Sequence, residues 1–292
     1  MKKKIIVTGA NGQVGQELRA AASSAAPPAG EFDFIFLTRN DLPLDNGASP
    51  DPLFEDHRPA YFINCAAYTA VDRAETEKEQ AFKINGDAVA SIAAACARFD
   101  TRLIHISTDY VFDGSSATPL RETDHTGPLN VYGASKLRGE HLAMQLHPAG
   151  TAILRTSWVY SEFGNNFVKT MIRLMKEKES IRVVDDQIGS PTYAADLAGA
   201  ILQIIAAPAF IPGIYHYSNE GEISWYQFAL AIKELTGSPC RVEPLPTAQY
   251  PTPARRPHYS LLDKTLIRQT YGIKIPDWKD SLRRCISLIL AN

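Results

Sequence analysis

A chain of 292 residues, 45% of them hydrophobic, has room for one large α/β domain or for a domain of ordinary size carrying a smaller lobe. Its 32 acidic and 30 basic side chains are interspersed and leave a formal charge of -2, which excludes the basic stripe of a nucleic-acid binder and the polybasic tail of a membrane-surface protein. Cys65, Cys96, Cys240 and Cys285 form no CxxC and the seven histidines no HExxH, so free thiols in a reducing compartment are expected and metal catalysis has no support.

In chain order, "MKKK" runs directly into "IIVTGANG", a strand followed by a glycine turn, without the apolar region and cleavage site of a signal peptide. Gly12 to Ala26 has helical spacing and is stopped by the breaker "AAPPAGE", expected as an exposed turn. "FDFIFLT", "AYFINCAA", "TRLIHIST" and "TAILRTSWVY" read as further strands, with helices predicted from about Glu79 to Phe99 and from Val131 to His147. After Tyr160 the pattern changes: "NNFVKTMIRLMKEK" and "YAADLAGAILQIIAA" are helical, "IRVVDDQ" and "GIYHYSN" are strands, and prolines cluster in "EPLPTAQYPTPARRP". The most apolar run, "LAGAILQIIAAPAFIPG", contains Gln203 and two prolines and is too short to span a bilayer. A soluble, cytoplasmic protein without membrane or nucleic-acid partners is expected. Its fold class is α/β, a doubly wound parallel sheet with a smaller C-terminal lobe. The division is drawn at residues 1–160 for the sheet domain and 161–292 mainly for the lobe, the latter interleaved with the last elements of the sheet.

Gly9, Gly12 and Gly15 form a GxxGxxG between the first strand and the first helix. Glycines there allow a tight turn and close approach of backbone to a pyrophosphate, and the helix N-terminus adds unpaired N–H groups and partial positive charge. This is the dinucleotide site of a Rossmann sheet. The second strand ends "FLTRND", which puts Arg39 where a ribose 2′-phosphate is told from a 2′-hydroxyl and favours NADPH; Asp41 leaves NADH open.

"NVYGASK" sets Tyr132 and Lys136 four residues apart, on one face of a helix. A phenol with a reference pKa of about 10 is a poor acid near neutrality. An ammonium about 4 Å away, at an effective dielectric of about 20, contributes roughly 4 kcal/mol, or about 3 pKa units at most, so Lys136 is expected to acidify Tyr132. "HISTDYVFDG", at the end of the fourth strand, offers Ser107 and Thr108 to orient a substrate carbonyl.

"TGANGQVG", "NCAAYTAVDRAE", "ISTDYVFDG", "NVYGASKLRGE", "LRTSWVYSEFGNNFV", "DDQIGSPT" and "PTPARRPHYSLLD" together resemble the extended short-chain dehydrogenase/reductases and, among them, the dTDP-4-dehydrorhamnose reductase family. The resemblance implies a catalytic set of Thr108, Tyr132 and Lys136. It implies cofactor contacts from Gly9, Asn11, Gly12, Gln13, Val14, Gly15, Arg39, Asp45, Ala66, Ala67 and Tyr68, with Lys136 on the nicotinamide ribose. Thr69, Val71, Asp109 and Trp158 are implied to border the sugar, and Asn165, Asn166 and Arg256 to approach the nucleotide diphosphate. The activity implied is reduction of the C4 ketone of dTDP-4-dehydro-6-deoxy-L-mannose by NADPH or NADH. Alternatives are another nucleotide-sugar 4-ketoreductase or epimerase, or a non-catalytic regulatory subunit of the same fold; "YVF" after "STD" argues against a dehydratase. Family members are described as dimers joined through carboxylate-bound magnesium. Glu17 matches one such acid, but Ala195 stands where another aligns, so magnesium is not supported and a homodimer stays open.

Overall fold

The computed structural model describes residues 2–24 and 28–291. Strands β1 (Lys3–Thr8), β2 (Phe32–Leu37), β3 (Tyr61–Asn64), β4 (Arg102–Thr108) and β5 (Thr151–Thr156) pair in parallel, and Gly213–His216 adds a sixth strand beyond β5. Across the sheet the order is β2, β1, β3, β4, β5 and Gly213–His216. Chain order therefore reverses between β1 and β3. In an open parallel sheet such a switch point leaves a crevice at the carboxyl ends of the strands.

The apolar runs are unbroken because both faces are covered. Ile5 and Val7 pack on one side with Val14 and Leu18 of helix α1 (Gln13–Ser23) and with Leu197, Ile201 and Ile205 of helix Ala194–Ala206. Ile6, Phe62 and Leu103 pack on the other with Phe54, Val89, Ile92 and Cys96. Each such fully buried side chain contributes about 1.5–3 kcal/mol. Helix α1 ends at Ser23. Of the predicted breaker, Ala25 to Pro27 lie outside the described residues, and Ala29–Glu31 form a single 3-10 turn leading into β2.

The predicted helix from Glu79 to Phe99 is one rod with a defect. Lys78–Phe82 and Ala88–Arg98 are α-helical, and Lys83–Asp87 between them is a π turn. Single π turns recur at functional sites; this one brings Asn85 inward, where it donates to the Tyr68 carbonyl (3.0 Å) and to Ser135 Oγ (2.9 Å) and accepts from the Tyr68 N–H (2.9 Å). Helix Val131–Leu146 crosses it at Gly139, where a Cβ would stand 2.1 Å from the Asn85 carbonyl oxygen.

A second core lies in the C-terminal half. Helices Phe167–Glu177, Trp225–Thr236 and Trp278–Ala291, with the parallel pair Ser180–Val184 and Arg241–Leu245, enclose Tyr160, Met171, Ile172, Phe228, Ile232 and Leu282. Helix Ala194–Ala206 and strand Gly213–His216, from the same half of the sequence, belong instead to the large sheet. Among the described residues no helix is long and apolar enough to cross a membrane.

Candidate active site

A cleft of about 1550 Å³ opens at the carboxyl ends of β1, β3 and β4, between the sheet and the loops that lead to the second core. Its floor is backbone. Gly9, at φ +69°, lies so close to the segment after β3 that a Cβ would stand 2.7 Å from the Ala66 nitrogen, and a Cβ on Gly15 would stand 2.3 Å from the Gly9 oxygen. Gly12 is the N-cap of α1 and no side chain caps that helix, so its leading N–H groups are left for a ligand. Asn11, Gln13, Val14, Ala66, Ala67 and Tyr68 complete this wall. At the rim Arg39 pairs with Asp45, while the Asp41 carboxylate is occupied by the Thr38 N–H and hydroxyl, both at 2.7 Å. An uncapped helix end behind a glycine turn, with a guanidinium at the ribose end, fits a phosphorylated dinucleotide.

The other wall is built on the end of β4 and on helix Val131–Leu146. Consecutive strand residues face opposite ways, and this separates the two candidate hydroxyls. Ser107 donates to Glu140 Oε1 at 2.5 Å, and Glu140 is held by Arg155 (Nη2–Oε2 2.7 Å) in an ion pair whose side chains are 1% and 3% exposed. Thr108 donates to Asp109 Oδ1 at 3.0 Å, accepts from the Tyr110 N–H at 3.2 Å and lines the cleft together with Tyr132. The helix bearing Tyr132 is capped by Asn130, which accepts from the Gly133 N–H at 2.8 Å, and by Glu75, which accepts from the Val131 N–H at 2.8 Å. Gly133 lets it seat against the Tyr110 carbonyl, where a Cβ would fall 2.1 Å from the oxygen.

Tyr132 and Lys136 both line the cleft, but the amine is hydrogen-bonded to β4 and not to the phenol. The Lys136 amine donates to the Ile106 carbonyl at 2.6 Å and stands 3.4 Å from His105 Nε2. An amine buried to 2% exposure takes the nearest open carbonyl. Burial pushes the phenol up to about 12, with the Thr108 hydroxyl drawing it down and Asp109 raising it. Burial likewise pushes Lys136 down to about 8 against the pull of Glu140 and Cys65, and pushes Asp109 up to about 6.

Of the residues expected on the sugar nucleotide, Thr69, Val71, Asp109, Trp158 and Asn165 line the cleft. Asn166 and Arg256 do not; their side chains are engaged beside it. Asn166 caps helix Phe167–Glu177 by accepting from the Lys169 N–H (3.1 Å) and donates to Gln13 Oε1 (2.9 Å). Arg256 makes a two-pronged pair with Asp72 (3.0 and 2.8 Å) and borders a narrow crevice next to the cleft, with Tyr110, Trp158 and Trp225. Trp158 is held at φ +48° and stacks on Trp225 with ring centroids 3.7 Å apart. Trp225 escapes sequence reasoning because an aromatic one residue past a capping serine carries no local signal. His105, Asn64 and Asn85 were also missed, although a polar residue inside an otherwise apolar strand such as "RLIHIST" was a visible anomaly.

Glu17 is 5% exposed and accepts from the Ser161 hydroxyl at 2.7 Å; burial pushes its carboxyl up to about 8. Among the described residues no three His, Cys, Asp or Glu side chains are grouped to hold a metal ion.

A phenol, a buried amine and a phosphate-sized glycine turn opening onto one switch-point cleft define the class, an NAD(P)-dependent oxidoreductase. The RmlD substrate binding domain family matches residues 2–290, and the chain belongs to that family. It is 41% identical over 296 residues to the dTDP-4-dehydrorhamnose reductase of Sinorhizobium fredii (98% of each chain covered) and 36% identical over 293 residues to the dTDP-4-keto-6-deoxy-D-glucose reductase of Streptomyces niveus (100% and 99%). The crystal structure of the dTDP-4-dehydrorhamnose reductase of Bacillus anthracis in complex with NADP superposes with a TM-score of 0.92 at 40% identity, covering 99% of this chain and 100% of that one.

Proposed function

We propose that the chain reduces the C4 ketone of dTDP-4-dehydro-6-deoxy-L-mannose to dTDP-L-rhamnose with NADPH, and that it does so in the cytoplasm. Residues 1–160 carry the cofactor in this reading, and residues 161–292 mainly carry the nucleotide sugar. The observation that carries it is that Thr108, Tyr132 and Lys136 line the same cleft as the glycine turn, in a member of this family.

When bound, NADPH supplies the hydride that C4 accepts. Thr108 orients the ketone oxygen and Tyr132 gives it a proton, a role that needs hydrogen-bond reach first and a suitable pKa second. Lys136 answers the second need once its amine turns from the Ile106 carbonyl toward the phenol, where its charge favours the phenolate. Asp109 and Trp158 border the sugar. Arg256 reaches the diphosphate by leaving Asp72, a carboxylate-for-phosphate exchange that preserves two-pronged geometry.

The test follows absorbance of the reduced cofactor with dTDP-4-dehydrorhamnose, wild type against Tyr132→Phe. Net consumption of NADPH that is lost in the variant is expected. Equal rates refute the role of Tyr132, and conversion of the sugar without net consumption identifies an epimerase instead.

A further inference from the structure

Beneath the cleft floor a row of buried polar side chains crosses three strands and ends on Lys136. Thr8 Oγ1 on β1 donates to Asn64 Oδ1 on β3 at 2.7 Å; Asn64 Nδ2 stands 3.1 Å from His105 Nδ1 on β4; His105 Nε2 stands 3.4 Å from Lys136 Nζ. All four residues are 2% exposed or less. None of them is needed to hold strands that already pair through their backbones, and burying an amide, an imidazole and an amine is costly unless each is oriented by its neighbours.

The orientation can be deduced. A backbone N–H only donates, and the Ala66 N–H points at Asn64 Oδ1 (3.3 Å) beside the Thr8 hydroxyl. The amide oxygen is thereby fixed, and the NH2 group must face the imidazole. His105 Nδ1 then accepts, and the neutral ring carries its proton on Nε2. That N–H is aimed at the Lys136 nitrogen, whose own hydrogen bond goes to the Ile106 carbonyl. Other groups facing the amine are Glu140 on its own helix, paired with Arg155 of β5, and Cys65 after β3; Tyr132, one turn before it, lines the same cleft. Glu140 and Cys65 favour the ammonium, while burial and, after it, the charge of Lys136 keep the ring of His105 uncharged.

We propose that His105, in the tautomer imposed by Asn64, is a positioning residue for Lys136: its Nε2–H opposes a settled positive charge at the parked position on the Ile106 carbonyl and so biases the amine to leave for the phenol side of the cleft. The inference rests on the role of Lys136 given under Proposed function, but its first test does not. In 15N-labelled protein without nucleotide, the imidazole resonances of His105, assigned by comparison with His105→Gln, should show a neutral ring protonated on Nε2 from about pH 6 to about pH 8. A ring protonated on Nδ1, or one that titrates near its ordinary value, overturns the proposal whatever the enzyme's cofactor or substrate.

The second test reverses the tautomer. Asn64→Asp puts an acceptor opposite Nδ1, leaves Nε2 unprotonated and lets it accept from the ammonium. The pH at which NADPH affinity falls away on the basic side, followed by quenching of protein fluorescence, should then rise by about one unit. Because a new carboxylate also acts through space, the same change is made in a His105→Phe background, where less than half of that rise should remain. Equal rises in both backgrounds overturn the proposal. NADPH binding with the expected tautomer, but no turnover of any nucleotide ketosugar, would sink the assigned reaction and leave the row intact.

Discussion

On the floor of the cleft, Gly9 and Gly15 bring backbone against backbone at distances no side chain would tolerate, and the helix end they expose has no side-chain cap. On the outer wall, side chains meet side chains: Trp158 lies on Trp225, Arg256 on Asp72, and Asn166 on Gln13. The floor has one arrangement, set by sterics, and is ready for a pyrophosphate as it stands. The wall is made of groups that satisfy one another, and under the proposed function they exchange partners to take the sugar nucleotide. A preformed cofactor site and an exchangeable substrate site suit a reaction in which one dinucleotide serves whatever sugar the wall admits.

Floor and wall meet at Tyr132, and the largest effect is expected there. Tyr132→Phe should leave NADPH binding intact, by fluorescence titration, and lower turnover by about two orders of magnitude or more, the usual scale for a general acid. Gly9→Ala should cost about 1–3 kcal/mol from its left-handed backbone alone, with more from the contact at Ala66, and should abolish NADPH binding. Thermal unfolding and titration report the two effects. On the wall, Arg256→Gln should raise KM for the sugar nucleotide by about tenfold with little change in kcat, the pattern of lost uniform binding; a matching fall in kcat would mean that the Asp72 pair holds the floor as well. Arg39→Ala should narrow the preference for NADPH over NADH by several-fold, read from the ratio of kcat/KM values.

The smallest effect is on stability, away from the cleft. Burial raises the Glu17 carboxyl from an ordinary 4.5 to about 8, so between these values the folded chain binds more protons than the unfolded one and stability falls as pH rises. Glu17→Gln should therefore raise Tm at pH 8 by several degrees and by progressively less toward pH 5. A variant destabilised at pH 8 would show that the carboxylate has a counter-ion there.

Sequence reasoning read the floor better than the wall, for a physical reason. A glycine turn behind an apolar run, and a tyrosine and lysine one helical turn apart, are local patterns whose geometry follows from backbone rules; Gly9, Gly12, Gly15, Tyr132 and Lys136 do share one cleft. Local rules say nothing about where a long side chain finds its partner across the fold. Asp72 lies 184 residues from Arg256, and that separation hid the ion pair that holds the guanidinium off the cleft. The same limit applies to Lys136: spacing put the amine beside the phenol, whereas burial sent it to a carbonyl of β4. Local sequence offered Ser107 and Thr108 alike and only the resemblance chose Thr108; strand alternation and the Glu140–Arg155 pair supply the physical reason.

The sixth strand has a consequence for how this molecule can be divided. Gly213–His216 closes the flank of the sheet beside β5, and the chain reaches it only after passing through the second core. Cutting after Tyr160 would strip β5 of its partner on the side away from β4 and bare a row of unpaired amides and carbonyls, a template for sticking to other chains. The two halves of the gene product are thus knitted together and cannot be traded as modules; a sugar-recognising half grafted from elsewhere has to bring its own edge to finish the host sheet.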